Sequence, residues 1–166
     1  MALNINDIKF YASSAAGNLG GAPNFAQEVN ITRDGFWDRI DAAESAAGDV
    51  EYRCLYVRNT STTNTLISPT ITLSAAATDP DTTIHIAVKD NVNASTAAIA
   101  DEGTAPSGSP AWTALNSAIN FSGDLVHEAS GNGGYVAIWL RRTVLNANNL
   151  AANDQCSIVV NGQTTA

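Results

Sequence analysis

Among the side chains of this 166-residue chain that could act as bases or thiolates or hold a metal are 2 histidines, 2 cysteines and 16 carboxylate residues. A zinc site or a Ser-His-Asp assembly needs imidazoles at motif spacing from thiolates or carboxylates, and neither His85 nor His127 has it. His127 adjoins Glu128 and reads as an exposed strand-end residue, while His85 falls on the outward row of an alternating run. The acids Asp34, Asp38, Asp41, Glu44 and Asp49 lack the alternating oxygen ligands and central glycine of a calcium loop. Asp34 and Asp41 read instead as turn and helix-cap residues. Gly17 to Gly21 has no following helix to aim amides at a phosphate. Paired carboxylates for glycoside hydrolysis occur by chance in any acidic chain. The expectation is a protein that is not an enzyme, with no cofactor and no metal. Cys54 and Cys156 lie in strand-like runs and read as two buried thiols, with a disulfide open if their strands are neighbours. The triplets at Asn30, Asn59, Asn93 and Asn120 match glycosylation acceptors, as an Asn- and Thr-rich chain generates by chance.

The elements that must position these groups are mostly strands. Asp41 followed three residues later by Glu44 is a capping-box pattern, Ala42, Ala43, Ala46 and Ala47 favour helix, and Gly48 supplies the left-handed residue that ends it. A helix of one or two turns is expected there. From Glu51 to Arg58, Arg53, Leu55 and Val57 point to one face and Tyr52, Cys54 and Tyr56 to the other. Apolar bulk on both faces marks a central strand. Ile8 to Ala12 reads as the first strand, and a loop of small residues lies near 13–28. Val29 to Thr32 reads as a short strand, and Phe36 and Trp37 as anchors for the helix start. Ile71 and Leu73 alternate with Thr70 and Thr72, and Ile84, Ile86 and Val88 alternate with Thr83, His85, Ala87 and Lys89, predicting two half-buried strands joined through the turn signal Asp79-Pro80-Asp81.

Residues 91–110 lose all periodicity, which marks a long excursion from the sheet, expected to contact a neighbouring subunit. Trp112 to Leu115, Phe121 to Glu128 and Gly134 to Arg142 read as strands, the last two paired across Gly131-Asn132-Gly133-Gly134. Cys156 to Val160 closes the domain. The pattern predicts a single domain over 1–166, an all-β antiparallel β-sandwich of jelly-roll or immunoglobulin-like kind with one short helix. A closed barrel is the alternative.

Charged residues make up only 14% of the chain, against about 25% in ordinary globular proteins. The surface must be neutral and polar, and small uncharged side chains cost little to order and desolvate, which suits a surface covered by other subunits. A net charge of −8 with only 8 Lys and Arg argues against nucleic acid as a partner. The basic doublet Arg141-Arg142 reads as the solvated rim of the strand it follows. No run approaches the roughly 18 apolar residues of a membrane span, and the start MALNINDIKF has no basic-then-apolar pattern, so neither membrane nor export is expected. Within the strand after Gly134, Val136, Ile138 and Leu140 form one face and Tyr135, Trp139 and Arg141 the other. An aromatic face ending in Arg fits an interface core or a layer beneath a second sheet. Tyr135, Trp139, Arg141 and Trp112 are the candidate interface residues. Trp112, Trp139 and Tyr135 would equally serve as stacking platforms in a carbohydrate- or receptor-binding module.

The run Gly48-Asp49-Val50-Glu51-Tyr52-Arg53-Cys54-Leu55-Tyr56-Val57-Arg58-Asn59, preceded by Leu19-Gly20-Gly21-Ala22 and by the acidic helix at Asp41 to Ala47, resembles a family of small virion structural proteins of tailed bacteriophages. The likeness covers roughly the first half of the chain. It implies membership of a virion, made in the host cytoplasm and held by packing and surface contacts. The kind implied is a capsid decoration or cement protein, bound as a homo-oligomer to the major capsid protein or other virion proteins, or else a tail or baseplate component.

Overall fold

The structure is a computed structural model and describes residues 5–29, 36–37, 40–75, 77, 81–89, 91–108, 110–114, 116–130, 133–146 and 156–164. The strands are β1 (Ile8–Ser13), β2 (Pro23–Glu28), β3 (Asp49–Asn59), β4 (Leu66–Ala75), β5 (Thr82–Val88), β6 (Ile119–Asn120), β7 (Tyr135–Val144) and β8 (Ser157–Thr164), with one α-helix, α1 (Ala42–Ala47). They form an antiparallel sandwich of two sheets, one ordered β2-β1-β3-β7-β5 and the other β6-β4-β8. The sheets stay separate, so the barrel alternative does not form.

Between the layers, Leu55, Val57, Val136, Ile138, Leu140 and Ile86 meet Leu66, Ile71 and Leu73 of the smaller sheet, closed at one end by Phe121 and Leu125. Period-two alternation assigns these rows inward except at Leu66, which reaches the core because β4 has an irregularity between Ile67 and Thr70. β3 is central, as its two apolar faces require. It pairs with β7 from Asp49 to Arg58 and with β1 over Leu55 to Asn59. The capping box is realised: Asp41 Oδ1 accepts from the amides of Ala43 (2.7 Å) and Glu44 (2.9 Å), and Glu44 Oε2 accepts from the Asp41 amide (2.7 Å). Gly48 follows with φ 79° and ψ 148°, positive φ but extended ψ, so the helix ends and the chain enters β3 without a left-handed turn.

Three local expectations change. The loop near 13–28 contains β2, which pairs with β1 across an irregularity at Tyr11 and Ala12. Val29 lies just past β2, and 30–32 fall outside the described residues. Phe121 to Glu128 forms no hairpin with β7. Ser122-Gly123-Asp124 interrupts its alternation, Leu125 bonds Leu66 in the other sheet (3.0 Å both ways), and β7 is taken up on both edges by β3 and β5. Of the strand read at Trp112 to Leu115, the described part makes one bridge, in which Thr113 exchanges hydrogen bonds with Ile86 (2.8 and 3.0 Å); Leu115 lies outside the described residues.

Candidate interaction face

The outer face of the five-stranded sheet carries cross-strand rows fixed by register. In order along β7 these are Tyr135 beside Arg58, Ala137 beside Tyr56, Trp139 between Cys54 and Ala87, Arg141 between Tyr52 and His85, and Thr143 between Val50 and Thr83. The first three rows are aromatic and would be ruinous if left in water, since large rings dominate the burial term. They are roofed by the chain's own 91–112 segment and by Leu19 to Ala22. Tyr56 Oη donates to the Gly21 carbonyl and accepts from the Thr96 amide (3.0 Å), and Trp139 Nε1 donates to Thr96 Oγ1 (3.2 Å). The Ile99 amide bonds Leu19 O (2.9 Å), and the Tyr52 amide bonds Glu102 O (2.8 Å) where β1 no longer covers β3. Gly20 has a positive φ of 89°, and a Cβ there would lie 2.5 Å from Ala97 O and 3.1 Å from the Trp139 ring. Gly20 of Leu19-Gly20-Gly21-Ala22 thus has a packing reason, since the loop presses against tryptophan there, whereas a Cβ at Gly21 (φ 85°) would meet Ser14 Oγ at 2.5 Å.

Over Tyr56 and Trp139 the cover is a loop of the chain itself and not a second sheet. Trp139 is 0% exposed and belongs to the core. It offers no ring to a partner or a glycan. Tyr135 is half-buried at the far end, its ring edge-on to Phe25 (5.2 Å) and Tyr56 (5.9 Å) and its hydroxyl donating to Asn93 O (3.0 Å). Trp112 and Arg141 come together at the other end, with the guanidinium 5.1 Å from the ring centroid and Tyr52 beside it at 5.6 Å. Arg141 and Tyr135 are six residues apart on one strand, about 20 Å. The four candidates therefore do not form one site.

The described arginines show what the sequence reading missed: each lies over an aromatic ring. Arg53 and Arg142 flank Trp37 at 5.6 and 5.0 Å, and Arg58 lies over Phe25 (4.2 Å) and Tyr11 (5.8 Å). Arg142 is not at a solvated rim, because β7 runs on to Val144 and carries it inward, onto Glu51, which is 1% exposed. Arg53 pairs with Glu102 and approaches Glu51 (3.8 Å), and Arg58 pairs with Glu128 (2.6 Å). Glu51 and Arg53 stand two apart on the inward row of a strand, so their pairing was legible from period two alone. Arg141 differs: among the described residues no carboxylate pairs with it. Its Nε and the Nδ1 of the neighbouring His85 are buried without a hydrogen-bond partner there. Burial first, and the Arg141 charge second, hold the His85 imidazole below its ordinary 6.5.

Among the described residues no group of three or more His, Cys, Asp or Glu is placed to hold a metal ion, and no helix is long and apolar enough to cross a membrane. No disulfide joins Cys54 and Cys156: Cys54 is buried under the roof as expected, whereas Cys156 is only half-buried, against the inter-sheet core on the opposite face of the large sheet. Asn59, one of the glycosylation matches, is fully buried and donates to the carbonyls of Asn64 and Leu125 (2.8 Å each). Comparison with family models, with curated proteins and with solved structures found no match.

Proposed function

We propose that this chain is a virion structural protein of a tailed bacteriophage, a capsid decoration or cement protein that acts through protein–protein contact and is not an enzyme. The observation that carries the reading is the roof. It is irregular in backbone yet pinned at Thr96, Ile99 and Glu102, and between and just before those points it turns Ser95, Ala97, Ala98 and Ala100 outward as exposed residues. A surface of small neutral side chains, already held in one conformation, loses little entropy and little hydration when a partner covers it. The likeness of Gly48 to Asn59 and of Leu19 to Ala22 to phage virion proteins supplies the class. Bound between neighbouring capsomers, such a protein stabilises the assembled state by mass action, because its own interfaces must break before the shell does. Its partners are the major capsid protein or other virion proteins, and its location is the virion after synthesis in the host cytoplasm. Placement in the tail or baseplate is the alternative within the same class. The buried Trp139, and Arg141 lying over the Trp112 ring, weigh against the carbohydrate- or receptor-binding module.

Purified particles should contain the chain in a fixed ratio to the capsid protein, and particles lacking it should break at a lower temperature. Ala98→Lys with Ala100→Lys should leave the melting temperature unchanged and abolish binding to stripped particles. Absence of the chain from particles, or wild-type binding by this variant, would refute the proposal.

A further inference from the structure

Among the described strands, β8 is the long edge that nothing guards. It lies at the margin of the smaller sheet, six of its eight residues are exposed, and none is buried. Folded proteins blunt such edges with proline, charge, short length or a cover, because the unpaired N–H and C=O groups are a template for another strand. The other edges show these devices: β2 carries Pro23 and Glu28, β5 is bridged at Ile86 by Thr113, and β6 is two residues long. β8 has no proline and no charged residue, and among the described residues only β4 hydrogen-bonds its backbone.

The ladder of β4 shows which groups of β8 point outward. Pro69 O and Leu73 O accept on the β6 side, from the amides of Phe121 (2.9 Å) and Asn116 (2.8 Å). Backbone groups alternate sides along an antiparallel strand, so Thr70 and Thr72 turn theirs toward β8, where register sets them opposite Asn161 and Val159. Ile158 and Val160 therefore aim their N–H and C=O away from β4, into the open edge. Their side chains are half-buried at the margin of the inter-sheet core, while Val159, on the outer face, is 38% exposed. What satisfies this edge is a β-strand with apolar side chains at matching positions.

A second copy of β8 is such a strand. Turned by half a turn about Val159, it sets Ile158 of each copy opposite Val160 of the other. Both are residues with outward backbone groups, so both pairs exchange their hydrogen bonds, and Val159 meets Val159 in the non-hydrogen-bonded position between them. Charge also favours a copy at this place. The chain at net −8 repels its copies, yet β4, β6 and β8 together contain no charged side chain. We propose that two copies of this chain pair antiparallel through β8, with Val159 on the two-fold axis, and so join their three-stranded sheets into one sheet of six. A pairing of this length is a small contact against the roughly 800 Å² per partner of a standard interface, so the dimer is weak. The pairing stands without the virion reading.

Sedimentation equilibrium of the full chain from about 10 µM to about 1 mM, with hydrogen exchange at both ends of the range, tests the proposal. Wild type should show a monomer–dimer equilibrium. The Ile158 and Val160 amides should exchange about threefold or more slowly at the high concentration, whereas those of Val159 and Asn161, already bonded to β4, should not change. Val159→Lys alone and Val159→Glu alone should each weaken the dimer about tenfold or more with an unchanged melt, because like charges then stand directly opposite across the axis. An equimolar mixture of the two should recover the dimer, since the facing charges become opposite. Wild type monomeric at 1 mM, a dimer that leaves Ile158 and Val160 exchange unchanged, or folded charge variants whose mixture stays monomeric would each overturn the proposal. If a charge variant fails to fold, exchange in the wild type decides. Protection of Ile158 and Val160 only on adding stripped particles would assign the edge to another protein's strand and overturn the self-pairing. Detection in particles tests the virion reading separately: a dimer absent from virions would refute that reading only, and a monomer present in them would refute this pairing only.

Discussion

Replacing Tyr56 with Phe removes one oxygen and leaves the ring, and so isolates the hydrogen bonds that pin the roof. The side chain is 0% exposed, its hydroxyl donates to the Gly21 carbonyl, and the Thr96 amide donates to it at 3.0 Å. Without the oxygen both backbone groups are orphaned beneath the roof, and each costs about 1–3 kcal/mol if nothing replaces the bond. Partial relaxation of Gly21 and Thr96 toward each other, already antiparallel bridge partners, recovers part of this. The expected loss is about 2–4 kcal/mol, which in a chain of this size lowers the melting temperature by roughly 4–16 °C. Tyr135→Phe is the internal control, since its hydroxyl bonds Asn93 O at 3.0 Å in an exposed setting where water can substitute. That change should cost about 1 kcal/mol or less. Urea unfolding of the two variants gives the comparison, and hydrogen exchange should show faster opening at 94–99 in Tyr56→Phe alone. Equal costs for the two variants, or unchanged exchange at 94–99, would show that the roof is not fastened through Tyr56.

Glu51→Gln should cost about 3–5 kcal/mol in denaturant unfolding, because it leaves the buried Arg142 guanidinium without its counter-charge; a loss below about 1 kcal/mol would mean that water reaches the cluster. His85 should titrate below 6.5 by NMR in the folded protein, and Arg141→Gln should move its midpoint upward but not fully to 6.5, since burial is the larger cause. As pH falls the unfolded chain protonates His85 first, so its contribution to stability is complete above 6.5 and is lost between 6.5 and the lower folded value. A folded-state midpoint at or above 6.5 would contradict this.

Local chemistry was legible in the sequence wherever it is written within a few residues. The Asp41-Glu44 capping box, the double-faced apolar run from Glu51 to Arg58 and the inward rows at Ile71 and Leu73 and at Val136, Ile138 and Leu140 depend on a cap or a period of two, and the chain realises each of them. The same pattern required that something cover Tyr56 and Trp139, because a strand apolar on both faces cannot leave either in water. It did not say what. The 91–112 segment has no period, and its seat depends on single bonds from Thr96, Ile99 and Glu102 to residues some 40 to 80 positions away in the chain. The sequence likewise put Arg141 and Arg142 at a strand end, whereas the register with β3 sends Arg142 inward to Glu51 and leaves Arg141 on the outer face. Strand identity and facing are properties of neighbouring residues. Pairing partners, and hence which charges are buried and which edge stays open, are settled only when distant segments compete for the same edges and surfaces.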